Sequence, residues 1–477
     1  MFTVLFRTVA QARLVLADRL SRVFSLSGAG GVLGCFFPGQ SLQPVRIPVA
    51  ARSRAAVRAL VIVLALIAVG VPGRVFAQPI TTDEKQSILK RTESILRSRA
   101  YASTADFAKW PDMVEKYKDR LDRADTVSSF SSVLNRLMNE FGISHLDVMT
   151  PKMAEQRSKT SQVGIGIKHS GRGEPFPEGL SIDQIIGGGP AERAGIKDGD
   201  TILKVDGTAL TTTEQLRGEE GSVIVLTIRR AAAENQEAKL EDVTIARGKF
   251  RTRDPESFAK IADDTSFIRI PSFDNTYDRR RVESLFKQAA DSKYLVIDLR
   301  NNGGGATTNL GHFLGMVLPR GTEYGTSVDR DTSEKYREET GKDPSDVLAV
   351  AAWSRDKWKV RRNPIEPFTG KVVVLINRAS ASASEIAAAA LKELHNPPAT
   401  LIGGRTAGAV LVANDVSLPD GFRMMVPISE YVTIKGRRLE GNPLKPDIGG
   451  PFSLERVGNK PETDEVVKLA LRELRKD

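Results

Sequence analysis

The chain has 477 residues, room for two or three domains, and its 40% hydrophobic and 27% charged content excludes a fibrous or wholly disordered polymer. A net charge of +10 invites a nucleic-acid partner, but residues 1–77 hold nine Arg, no Lys and one acid, Asp18, and so carry +8 of it. The excess sits in a leader and not on a binding face, so no nucleic-acid role follows.

The end of that leader has the grammar of a secretory signal. Arg52, Arg54 and Arg58 precede an apolar run from Ala59 to Val71, which Pro72 and Gly73 break. At about 13 residues the run suits a signal peptide and is short for a membrane span. Val75-Phe76-Ala77 offers small residues at the positions a signal peptidase reads, so cleavage before Gln78 is expected. The expected location is periplasmic or secreted. The alternative is an uncleaved anchor in the inner membrane, the one case in which a membrane becomes a partner. Cys35, the only cysteine, lies in this leader, so the mature part has no disulfide, no thiolate nucleophile and no cysteine-bound zinc.

From Asp83 to about Phe141 apolar residues recur at three and four positions: Ile88, Ile95 and Leu96, then Val114, Tyr117 and Leu121, then Val133, Leu134, Leu137 and Met138, before Gly142. This predicts a small helical domain over 78–157. Residues 158–248 turn to short β-type runs, Val163 to Ile167, Leu180 to Ile186, Thr201 to Val205 and Val223 to Ile228, with a helical turn after Pro190. Gly188-Gly-Pro-Ala-Glu-Arg-Ala-Gly195, Asp198-Gly-Asp-Thr-Ile-Leu203 and Val205-Asp-Gly207 resemble a PDZ domain. Such a domain adds a peptide's C-terminal tail to a sheet edge and holds its carboxylate on backbone N–H groups. By the resemblance the loop for this is Val163, Gly164, Ile165, Gly166 and Ile167; the alternative is a domain that merely braces the rest of the chain.

From 249 to 477 strands and helices alternate, which predicts an α/β core with a largely parallel sheet. Strands are expected at Thr265 to Ile270, Tyr294 to Leu299 and Val372 to Ile376, and helices at Arg281 to Ala290, Ser384 to Leu394 and Glu465 to Leu474. Residues 326–362 are charged and read as an irregular insertion or lid.

The chemistry-bearing stretch is Lys371-Val-Val-Val-Leu-Ile-Asn-Arg-Ala-Ser-Ala-Ser-Ala-Ser-Glu-Ile386, an apolar strand running through small residues into an alanine-rich helix. A serine at that junction exposes its hydroxyl beside helix N–H groups that favour negative charge. It could also simply cap the helix. Ser380-Ala-Ser-Ala-Ser-Glu385 and Leu295-Val-Ile-Asp-Leu-Arg-Asn-Asn-Gly-Gly-Gly305 resemble two motifs of the C-terminal processing (tail-specific) serine peptidases, over roughly residues 130 to 450. The resemblance implies a crotonase/ClpP-like protease core, an inserted PDZ domain and no cofactor or metal. It implies peptide substrates taken by their C-terminal tails, and leaves a homo-oligomer open. It makes Ser382 the nucleophile, with the N–H of Ala383 and that of Gly304, or next Gly305, as oxyanion donors.

One departure redirects the search for a base. Many members carry a lysine in Thr-x-Gly-Lys, and this chain reads Thr406-Ala407-Gly408-Ala409. A methyl group accepts no proton, so a Ser/Lys dyad is excluded there. Of the four histidines, His169 falls in the PDZ region and His312 follows the glycine-rich element. His395 lies about 20 Å along the helix after Ser382. His145, in Phe141-Gly-Ile-Ser-His-Leu-Asp147, resembles the Ser-His pair of the tricorn-like branch, in which a histidine is the base, aided by the preceding serine and a distant glutamate. Leu439-Glu440-Gly441 and Pro446-Asp447 match the element carrying that glutamate. The implied catalytic set is Ser382, His145, Glu440 and Ser144. A surface salt bridge of Glu440 with Arg437 or Arg438 is the plain alternative for that residue. For the whole chain the alternatives are an inactive PDZ scaffold and a small-ligand carrier on the same core. Gly164-x-Gly166 and Gly303 to Gly305 lack the remaining residues of nucleotide-binding loops.

Overall fold

The computed structural model describes residues 78–158, 161–169, 176, 178–230, 239–251, 254–450 and 461–476. The expected signal peptide and its cleavage point before Gln78 lie outside them. Among the described residues no helix is long and apolar enough to cross a membrane.

Three helices open the described chain: α1 (Thr82–Arg99), α2 (Trp110–Arg123) and α3 (Val127–Asn139). Thr81 and Thr126 start α1 and α3 with reciprocal side-chain and backbone bonds at their first turns, the local reason the helices begin there. Their apolar faces do not form a core of their own. Ile88, Leu96, Phe130 and Leu134 share one buried cluster with Leu418, Phe422, Met424 and Val426, more than 280 residues on. The expected small helical domain is thus a layer packed on the C-terminal part of the chain.

After α3 come β1 (Asp147–Met149) and α4 (Pro151–Ser158), which leads into a separate β-rich lobe. There β2 (Ser161–Gly164), β3 (Ile167–Lys168), β4 (Leu180–Ser181), β5 (Gln184–Ile185), α5 (Pro190–Arg193), β6 (Thr201–Val205), β7 (Val223–Arg229), β8 (Leu240–Ala246) and β9 (Gly248–Arg251) surround their own core, with Ile182, Ile202, Leu226 and Ile228 fully buried. The lobe closes at Arg251, three residues beyond the sequence boundary, because β9 pairs antiparallel with β2.

The remaining chain builds two sheets. β10 (Ser257–Ala262), β11 (Thr265–Arg269), β12 (Tyr294–Asp298), β15 (Lys371–Ile376), β16 (Thr400–Gly403) and β19 (Ile448–Gly449) stand in that order, antiparallel at the first pair and parallel thereafter. Helices α6 (Arg279–Ala289), α7 (Thr307–Leu314) and α10 (Ala383–Leu394) cover one face, and α11 (Glu465–Leu474) the other, which is why β12 and β15 are apolar at nearly every position. The second sheet is antiparallel and joins β1 to β13 (Glu323–Asp329), β14 (Lys357–Lys359), β17 (Leu411–Ser417) and β18 (Arg423–Thr433). Residues 326–362, expected to be irregular, instead hold the end of β13, α8 (Arg330–Thr340), α9 (Val347–Trp353) and β14. Tyr336, Val347 and Val350 bury against Val328 and Val432, so the stretch is packed onto the second sheet and is not a loose lid.

Candidate active site

The two sheets meet at Ser382. It stands where β15 has ended and α10 begins, with φ +56° and ψ −123°. A serine pays for such a backbone, and the surroundings hold it there. Its N–H donates to the carbonyl of Ala409 (2.9 Å) and to Glu385 Oε2 (3.2 Å). Glu385, fully buried, accepts further from Thr406 Oγ1 (2.5 Å), Gly408 N–H (2.9 Å) and Ala409 N–H (2.9 Å). Burial pushes its carboxyl up, and those hydrogen bonds pull it back. The glutamate of the serine motif is therefore a clamp. It ties the turn at Ser382 to the Thr406–Ala409 loop, whose last residue supports Ser382 through its backbone although its methyl group accepts nothing.

His145 reaches this serine from the front of the chain. It sits two residues ahead of β1, which is registered on β18 through Asp147 opposite Met425 and Val148 opposite Met424. Its own φ is +57°. The ring is half-buried, with Nε2 3.2 Å from Ser382 Oγ. Nδ1 lies 2.6 Å from Ser144 Oγ, which is 2.8 Å from Glu440 Oε2. Glu440 is 5% exposed and also accepts from Ser144 N–H (2.9 Å) and Val410 N–H (2.7 Å). The alternative ion pair is absent among the described residues, because Arg438 binds Glu430 instead.

This chain of contacts fixes a direction. Ser144 has one hydroxyl proton, and it donates it to Glu440, whose oxygens only accept here. Ser144 Oγ must then accept from Nδ1–H of His145, which leaves Nε2 bare and facing the Ser382 hydroxyl. Burial lowers the affinity of His145 for a second proton; Glu440 opposes the effect and Arg157 adds to it. The ring is therefore neutral near pH 7.

The glycine-rich loop lies directly against Ser382. A Cβ on Gly304 would stand 2.7 Å from Ser382 Cβ and 2.9 Å from Ala383 N. Gly304 is not the free donor expected of it, because its N–H is taken by Asn302 Oδ1 at 2.9 Å. Gly305 bridges Phe273 through its neighbours, Phe273 N–H to Gly304 and Ala306 N–H to Phe273, and its own N–H has no acceptor among the described residues. The N–H of Ala383, first in α10, has none either. A cavity of about 730 Å³ opens beside Gly303–Gly305, lined also by α4 and by Asp415 and Arg423.

The other histidines are elsewhere. His169 packs its edge on Phe176, His312 joins Tyr277 and Glu283, and His395 faces the carbonyls of Pro397 and Phe368. In the β-rich lobe, Val163 and Gly164 are held in β2 and Ile167 in β3. Between them Ile165 and Gly166 give their carbonyls to Ala191 and Ile186, while their N–H groups have no acceptor among the described residues. The roles of Glu385 as clamp and of Asn302 as partner of Gly304 escape a reading of the sequence, since neither follows from spacing.

Residues 264–449 match the profile of peptidase family S41, and residues 181–230 that of a PDZ domain. A probable CtpA-like serine protease of Staphylococcus aureus is 27% identical over 293 residues, 60% of this chain and 52% of that one. A chloroplastic C-terminal processing peptidase of Tetradesmus obliquus is 29% identical over 280 residues, 55% of this chain and 54% of that one. The chain thus spans about half the length of the curated relatives it matches. Among solved structures, an S41 protease candidate from Bacteroides fragilis shares the fold with a TM-score of 0.52 at 17% identity, over 80% of this chain and 96% of that one. The chain joins a PDZ domain to a mixed α/β domain of peptidase family S41.

Proposed function

We propose that the protein is a serine endopeptidase that cuts polypeptides near their C-termini through an acyl-enzyme on Ser382, with His145 as base in the manner of the tricorn-like branch. The observation that carries this reading is the unbroken relay Ser382–His145–Ser144–Glu440, at 3.2, 2.6 and 2.8 Å. Neutral His145 takes the Ser382 proton at Nε2 as Oγ bonds the scissile carbonyl carbon. The oxyanion formed is met by the N–H groups of Ala383 and Gly305. The C–N bond breaks as His145 returns the proton to the leaving amine. Water, deprotonated by the same nitrogen, then releases the acyl group. Ser144 passes the electrostatic support of Glu440 to the imidazolium at each half-reaction without itself reacting.

The PDZ domain supplies the preference for tails: the N–H groups of Ile165 and Gly166 are available for a terminal carboxylate, and the open edge of β3 for the residues before it. The leader directs the protein out of the cytoplasm, with residues from Gln78 onward as the working form. An inactive scaffold would need neither the strained Ser382 nor a bare imidazole nitrogen aimed at it.

The test is hydrolysis of quenched fluorescent peptides by the chain from Gln78 onward. Ser382→Ala should lower kcat by about 10³-fold or more with the fold intact by circular dichroism. Turnover undiminished in Ser382→Ala would refute the assignment.

A further inference from the structure

The cavity beside Gly303–Gly305 has two arginines in its wall, and they are not equivalent. Arg423 is spent: it donates to Asp415 Oδ1 (2.8 Å), to the Asp415 carbonyl (3.3 Å) and to Ser417 Oγ (3.4 Å). Arg157, in the last turn of α4, donates only to the thioether sulfur of Met149, at 3.3 Å, among the described residues. A thioether is a weak acceptor and carries no charge, and Arg157 is exposed, so most of its five donors face solvent beside the cavity and are open to a ligand. No ion pair among the described residues neutralises it. Of the acids around it, Asp415 faces Arg423 and Asp274 Oδ1 accepts from Thr276 N–H and Oγ1, while Glu155 lines the same cavity and Asp147 lies near enough to feel the guanidinium, neither bonded to Arg157 among the described residues. The charge of Arg157 is nonetheless felt at the site, where it opposes the upward push of burial on Asp147 and adds to the downward push on His145.

We propose that Arg157 is a specificity-determining residue that receives a carboxylate of the bound polypeptide in this cavity. The geometry suits it. A planar fork in the wall of a cleft beside Gly303–Gly305 can pair with a carboxylate through two parallel N–H···O bonds. A neutral side chain there would leave the guanidinium unpaired against the peptide. The carboxylate comes either from an Asp or Glu close to the scissile bond or from the chain's own terminus, and the chemistry is the same. The inference rests on Ser382 being the nucleophile.

Four peptides of one sequence separate the sources: Glu or Gln at the residue flanking the cut, each with a free or an amidated C-terminus. The readout is the ratio of kcat/KM between carboxylate and neutral partners, in wild type, Arg157→Gln and Arg157→Lys. Wild type should favour the carboxylate about tenfold in at least one pair, and Arg157→Gln should bring that ratio to about one, with Arg157→Lys between them. The pair that shows the effect names the source. Any contribution of the PDZ loop to terminal carboxylates is present in all three proteins, so for the free and amidated pair the proposal is read from the fall in ratio between wild type and Arg157→Gln and not from its final value. An equal ratio in wild type and Arg157→Gln, or no preference in wild type, overturns the proposal. If wild type cuts none of the four, the Ser382 reading has failed. The same peptides are then competed against a fluorescent tracer by anisotropy. A carboxylate preference in binding that disappears in Arg157→Gln sustains the role of Arg157, and one that persists rejects it.

Discussion

Two residues with side chains stand in the left-handed half of backbone space and face each other: His145 at φ +57° and Ser382 at φ +56°. Each position costs on the order of 1–3 kcal/mol, and cost tolerated at both ends of one hydrogen bond argues that the bond is what the surroundings are built to hold. The relay behind it makes a sharp forecast for Glu440→Gln. An amide nitrogen on either arm would point an N–H at the N–H of Ser144 or of Val410, and the negative charge opposite the imidazolium would be gone. The expected loss in kcat/KM is about 10²- to 10⁴-fold. Glu440 raises the proton affinity of His145, so its removal should also move the acid limb of the pH–rate profile to lower pH. A slower enzyme whose acid limb stays in place would mean that Glu440 only braces the loop.

At the scale of elements, the site depends on how strand ends are tied together. Asn301 and Asn377 exchange hydrogen bonds across the ends of β12 and β15, and Ala381 N–H reaches the carbonyl of Asn302. Glu385 completes the junction by accepting from four donors at once. Glu385→Gln must set an NH₂ against N–H or O–H donors whichever way the amide turns. It should destabilise the fold by about 2–3 kcal/mol and lower the unfolding midpoint, read by thermal denaturation. A shift below about 0.5 kcal/mol would show that the loop does not hang on this carboxylate. The strands and helices around the junction were legible beforehand because their patterns are strong: residues 372–376 are apolar throughout, and α11 begins and ends where its pattern does. The oxyanion donor was not. That the N–H of Gly304 is taken, which is the reason for proposing Gly305 in its place, needs the side chain of Asn302, whose orientation no spacing reveals. The stretch 326–362 misled for a related reason: its charges line the outer faces of helices whose inner faces are few and scattered, Tyr336, Val347 and Val350 among them.

Across the whole molecule, chain order and site order are opposed. The histidine is carried by a helical layer whose apolar side chains share one buried cluster with β17, β18 and the turn between them, so folding that layer and delivering the imidazole go together. Ser382 arrives from the parallel sheet, and Glu440 follows β18. Family motifs made this meeting readable in the sequence, since both halves of the relay lie in recognisable stretches. The shared core that enforces it was not readable, because nothing in the helices' own amphipathic pattern names the strands they cover. The Arg300 guanidinium adds a further tie, bonding both oxygens of Asp298 at 2.9 Å and reaching Asp464 at the start of α11 at 2.8 Å, which pins the C-terminal helix to the loop after β12.

The most direct measurement is the rate at which a fluorophosphonate acylates the chain from Gln78 onward as a function of pH, in wild type and in His145→Ala. With His145 as the base, the wild-type rate falls on acidification through a midpoint below the usual histidine value of about 6.5, since burial depresses it. His145→Ala should react at least about 100-fold more slowly and show no such midpoint. Equal rates with the same pH dependence in the two proteins would contradict the relay.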